Sequence, residues 1–105
     1  MASRRNLQNA VINTSASGQS LLISNPSSSA LLYIWDMYLT VAAATNLQFY
    51  DGPGPLTGNI NLGAGGQFNP AGIDAVPMFT ISPGSVFNVS STAAVQQSGW
   101  LSYSS

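Results

Sequence analysis

Few side chains in this sequence could do covalent chemistry. General acid–base catalysis draws mainly on His, Glu, Lys or Cys, and the 105-residue chain contains none of the four. Its acids are Asp36, Asp51 and Asp74, far apart in the sequence. A serine nucleophile would lack the His or Lys that activates it. The tyrosines, Tyr33, Tyr38, Tyr50 and Tyr103, ionise too high for routine base catalysis unless shifted. Zinc would find no thiolate or imidazole, and calcium needs several carboxylates in one loop. The run "GAGG" lacks the following helix and the Lys or Ser/Thr of a phosphate cradle. The expectation is a protein that is not an enzyme and uses no cofactor or metal.

Aromatic residues remain as candidates for binding. Trp35, Tyr38 and Trp100 could stack on a sugar or meet a partner protein. For Trp35 the competing assignment is the core. Trp100 has the opposite parity to Leu101 and Tyr103, which predicts that it leaves the core. A second candidate contact is the loop "DGPGPLTG", beginning with Asp51, Gly52, Pro53, Gly54 and Pro55.

The elements that must position these residues are strands. The run from Ala30 to Tyr50 is about long enough to cross a bilayer as a helix, roughly 20 residues. It alternates instead. Leu31, Tyr33, Trp35, Met37, Leu39 and Val41 fall on one parity, and Leu32, Ile34, Asp36, Tyr38 and Thr40 on the other. Strands send alternate residues to opposite faces, and β-branched and aromatic residues suit them. A spanning helix would also bury Asp36, at about 3 kcal/mol if central. The segment therefore reads as strand, "AAATN" turn, then the strand "LQFY", with no membrane span.

"NAVIN", "QSLLIS", "NINL", "PMFTI", "VFNVS" and "VQQSGWLSY" read as further strands, with Gly99 a candidate bulge in the last. Between them lie "NPSSS", "DGPGPLTG" and "GAGGQFNPAG", all rich in turn formers. Pro83-Gly84 fits the centre of a type II turn. Helical periodicity is absent. The expected fold is all-β: a single antiparallel sandwich, jelly-roll-like, over residues 9–105, preceded by a flexible arm over residues 1–8.

Charge is scarce. Two arginines and three aspartates make 5% of the chain, against about 25% in ordinary soluble domains. Little self-repulsion keeps copies apart, so a protein that works in an assembled state is expected. Both cations, Arg4 and Arg5, stand in "MASRRNLQ". The following "NAVINTSASG" is no apolar signal core, and two arginines make no nucleic-acid patch. They read instead as the positive tip of the arm and as candidate contacts to an acidic partner.

The run "LYIWDMYLTVAAATNLQFYDGPGPLTGNINLGAGGQF", followed by "SPGSVFNVSSTAAVQQSGWLSY", resembles small virion proteins of tailed bacteriophages, including capsid decoration (cement) proteins. The matching positions are Leu39, Val41, Phe49, Leu56, Gly58, Leu62, Gly66, Gly84, Val89, Val95, Gly99, Leu101 and Tyr103, within roughly residues 10–104. The Pro-rich "DGPGPLTG" and the tryptophans Trp35 and Trp100 depart from the pattern. The resemblance implies an all-β accessory on the outer capsid surface of the virion that binds the major capsid protein. A homo-oligomer is expected with it, a trimer matching a site of local threefold symmetry.

Two functions are therefore weighed. In the first, the protein clamps neighbouring capsid subunits. In the second, it is a head or tail appendage that recognises a glycan or receptor through Trp35, Trp100 or the Asp51–Pro55 loop. A glycan site should gather exposed aromatics with Asn, Asp and Gln. The sequence scatters its aromatics along strands, which favours the clamp.

Overall fold

The computed structural model describes residues 7–70 and 76–105. Arg4, Arg5 and Asp74, and with them most of the expected N-terminal arm, lie outside these residues. Ten strands account for the regular structure described: β1 Gln8–Thr14, β2 Gly18–Ser24, β3 Leu32–Val41, β4 Thr45–Asp51, β5 Gly54–Pro55, β6 Ile60–Leu62, β7 Gln67–Phe68, β8 Phe79–Ile81, β9 Val86–Ser91 and β10 Gln97–Ser104. No described helix is long and apolar enough to cross a membrane.

The strands form two antiparallel sheets. One has the order β1-β10-β3, with β7 and β8 pairing different stretches of β3. The other has the order β2-β9-β4, with β5 and β6 pairing different stretches of β4. The interleaving of 1-10-3-8 with 2-9-4-6 is the strand order of a jelly roll. The expected all-β sandwich is thus the observed fold.

Alternation decides which side chains enter the core. Leu47 and Phe49 of β4, Phe87 and Val89 of β9, and Met37, Leu39 and Val41 of β3 are buried between the sheets. Phe49 sits among three other rings. Its centroid is 5.0 Å from Phe68, 5.7 Å from Phe87 and 6.0 Å from Phe79. These contacts tie the short strands β7 and β8 to the opposite sheet. The Ser82–Ser85 turn forms as expected: Ser85 N–H donates to the Ser82 carbonyl at 3.1 Å, and Gly84 takes a φ of 71°. Asn25 anchors this turn to the β2–β3 loop. Its side-chain amide donates to the carbonyls of Ala30, Ile81 and Ser82.

Two local expectations need correction. Strict alternation would put one parity of β3 in the core along its whole length. Instead Leu32 and Ile34 of the other parity are buried at its start, and Met37, Leu39 and Val41 further on. The cause is a bulge. Tyr103 pairs with Ile34 and Ser102 with Asp36, so Trp35 has no counterpart on β10, and one extra residue resets the side-chain alternation. Gly99, the expected bulge, keeps regular register with Ile12 on one side and Leu39 on the other. Its role is close approach: a Cβ there would collide with the Tyr38 carbonyl.

The strand boundaries also moved slightly. β1 begins at Gln8, within the segment expected to be the arm. β5 and β7, two residues each, lie in stretches that read as irregular loop.

Candidate functional site

The outer face of the β1-β10-β3 sheet carries the exposed Trp100 beside the half-buried Tyr38. Val11 of β1 stands opposite Trp100 of β10, which stands opposite Tyr38 of β3. The three make one row across three strands, on the side facing away from Leu101 and the core. Trp100 is 44% exposed and Val11 80%. Trp100 thus leaves the core as its parity predicted, because the neighbouring Leu101 takes the buried position.

The next row is polar. Asn9, Ser102 and Asp36 stand side by side on the same three strands. The Ser102 hydroxyl donates to Asp36 Oδ2 at 3.2 Å. Leu7, Asn9, Asp36, Trp100 and Ser102 line a shallow cavity of about 390 Å³. Chemically this is an indole face beside a carboxylate, a hydroxyl and an amide. It can stack on a flat or CH-rich ligand surface and exchange hydrogen bonds with it. It holds no pair of groups suited to moving protons.

Trp35 is not part of this site, which corrects its place among the candidate interface aromatics. The bulge brings it among the fully buried side chains. Its indole N–H donates to Ser104 Oγ at 2.8 Å, and its ring tilts against Tyr33 at 6.2 Å. Burying an indole is favourable when its N–H finds such an acceptor, so the residue is structural within the chain.

The loop Asp51–Pro55 is a tight hairpin. Asp51 pairs with Gly54 across Gly52 and Pro53, and Pro53, Gly54 and Pro55 are exposed. Asp51 itself is committed to the fold. Its Oδ2 accepts from the Ser82 hydroxyl at 2.7 Å and from the Ser82 amide at 3.2 Å. Partial burial would raise its carboxyl pKa. Hydrogen bonds from the Ser82 and Ser85 hydroxyls and the Ser82 amide outweigh that and hold it below the usual carboxylate value. So the loop exposes a Pro-Gly-Pro tip, while its one charge holds the β8–β9 turn in place.

A pH prediction follows. A carboxyl held low in the fold adds stability above its unfolded pKa, about 3.9, and that stability disappears as pH falls through the lower folded value. Asp51→Asn should cost about 1 kcal/mol at pH 7, since a solvated charge-assisted bond is weakened rather than buried and broken. Urea titrations at pH 7 and at pH 2–3 should show the gap between variant and parent closing at the acidic end. An equal gap at both would show that the charge is not the cause.

Sequence reasoning missed Val11, Asn9, Leu7 and Ser102 as site residues. Alternation in "NAVIN" could have put Asn9 and Val11 on one face. Only the pairing of the first long strand with the last sets that face beside Trp100. Arg4 and Arg5 fall outside the described residues. No protein-family model matches the chain, and comparison with curated proteins and with solved structures returns no significant match.

Proposed function

We propose that this is a structural virion protein: a capsid decoration (cement) protein that binds the outside of a phage head and steadies contacts between major capsid subunits. The observation that supports it is the uncovered row Val11, Trp100 and Tyr38 on a sheet face whose one charged side chain among the described residues is Asp36. A rigid sandwich with such a face is suited to lasting contact with another protein, since interface centres are poor in charge and rich in aromatics. The resemblance to phage virion proteins supplies the setting. The jelly-roll order adds little, because capsid and lectin domains both use it.

A second reading has its own observation. The fold gathers Trp100 with Asn9, Asp36 and Ser102 around one cavity, with Tyr38 beside Trp100 on the next strand, the grouping that a glycan- or receptor-binding appendage needs and that the sequence alone did not reveal. The two readings separate on one pair of measurements. Co-sedimentation with decoration-free heads should capture the protein at a stoichiometry of shell-lattice sites. Replacing Arg4 and Arg5 by Ala should weaken capture at low salt and less at high salt, as screening removes an electrostatic contribution. Failure to bind heads, together with a Trp100-dependent fluorescence change on adding neutral oligosaccharides, would transfer the assignment to the second reading.

A further inference from the structure

The two sides of the sandwich are finished differently. On one side the edges of β3 and β4 are covered. β7 and β8 pair with β3, and the carbonyls of Gly66 and Pro70 accept from the amides of Val41 and Met37. β5 and β6 pair with β4, where Leu56 N–H donates to the Phe49 carbonyl. On the other side β1 pairs only with β10 and β2 only with β9 among the described residues. β2 is interrupted by a bulge at Leu22. β1 is regular over its whole length.

An open edge is a template for another strand, and proteins usually guard one with charge, proline, a bulge or very short length. β1, "QNAVINT", has seven residues and none of these guards. We infer that β1 is a pairing edge whose occupant is β1 of a second copy, joined antiparallel about Val11.

The strand is self-complementary about that residue. In this register Val11 faces Val11 of the partner copy, Ala10 faces Ile12, Asn9 faces Asn13 and Gln8 faces Thr14. Each pair matches apolar with apolar or polar with polar, on the face where the single chain already places them. Asn13 Oδ1 accepts from Gln96 Nε2 at 2.7 Å, which leaves its amide hydrogens to donate to the Asn9 carbonyl across the joint. The most exposed large apolar side chain among the described residues, Val11 at 80%, would be covered. The aromatic row would continue as Tyr38, Trp100, Val11, then Val11, Trp100, Tyr38 of the other copy.

The lack of charge near the edge permits the same occupant. Neither β1 nor its neighbour β10 carries a charge. The nearest charged position in the sheet, Asp36, lies two strands from the edge. The two Asp36 residues of such a pair are five strand spacings apart, about 24 Å, beyond the screening length of about 8 Å at physiological salt. Among the described residues no like charges oppose the joint.

This inference concerns the isolated protein and holds whether or not it binds capsids. A twofold strand joint closes at two copies, whereas a cyclic trimer cannot pair β1 with β1. The mass in solution therefore decides. Light scattering on the full chain at micromolar concentration should give the mass of two chains. Val11→Lys puts like charges opposite each other at the dyad and should weaken the dimer at least about tenfold. Because Val11 is exposed, the thermal unfolding of the fold itself should hold.

A crosslink gives the register. The chain has no cysteine, and directly opposed Cβ atoms about 4.5–5.5 Å apart come within modest adjustment of a disulfide. Val11→Cys should give a linked dimer under mild oxidation. Leu21→Cys, on the other edge strand and 61% exposed, should not. A monomer at all concentrations, a threefold mass, a Val11→Lys variant that dimerises as before, or preferential linkage through Leu21→Cys would each overturn the inference.

Discussion

Replacing Gly99 by alanine should remove a large share of the stability of the native fold. Gly99 lies in β10, the strand held between β1 and β3, opposite Ile12 and Leu39. Its φ is 154°, a backbone conformation that side-chain-bearing residues rarely adopt. A Cβ there would overlap the Tyr38 carbonyl oxygen and stand 2.7 Å from its carbon and 3.0 Å from Leu39 Cα. All three obstacles are backbone, so no rotamer change can relieve them. β10 and β3 would have to separate, and the neighbouring pairs Ser98–Thr40 and Trp100–Tyr38 would go with them. Strain and overpacking of this kind cost about 3 kcal/mol or more, against a total stability of about 5–15 kcal/mol. Soluble yield and near-ultraviolet circular dichroism check the outcome. Gly58→Ala, where an added methyl meets open space, is the control. Equal stability of the two variants would show that the close approach does not exist.

Phe49→Ala should be nearly as damaging, by a different route. Phe49 is fully buried and its ring stacks within 18° of Phe87 and 23° of Phe68. Truncation removes the ring that Phe68, Phe79 and Phe87 share and leaves a cavity among them. Such changes cost about 3–5 kcal/mol. For a domain near this size that lowers the thermal midpoint by roughly 15–30 °C. The loss should be uneven. β7 and β8 are two and three residues long and reach the opposite sheet through Phe68 and Phe79, so their amides should lose hydrogen-exchange protection first. Phe49→Leu, which keeps much of the volume, should cost clearly less. A midpoint drop below about 5 °C for the alanine variant would mean that the cluster collapses and repacks.

The strands were legible because each long one states its own pattern: alternating apolar positions bounded by Gly, Pro or Ser. Trp35 could be read as core or as interface because both parities of β3 are apolar, so nothing in the residues marks where one gives way to the other. That point is set by Ser102 and Tyr103 on β10. β5 and β7 went unseen because a two-residue strand has no period; it exists only as the partner of β4 or β3. The tight turn at Pro83-Gly84 was legible, being local. The exposure of Trp100 followed from parity alone. Its neighbours Val11 and Tyr38 did not, because residues 11, 38 and 100 become adjacent only through the β1-β10-β3 order.

That order also governs when the protein can be completed. β1 is made first and its partner β10 last, and β2 likewise waits for β9. At a synthesis rate of about 5–20 residues per second, the first strand stays unpaired in its own sheet for roughly 5–20 seconds. No N-terminal portion of the chain can close the sandwich ahead of the rest, since each sheet takes strands from both ends of the sequence. Pairings this distant in sequence make folding slow. While it waits, a charge-free first strand with Val11 at its centre can meet the same strand on a neighbouring ribosome. The strand that opens the chain is thus exposed longest before its own sheet can cover it.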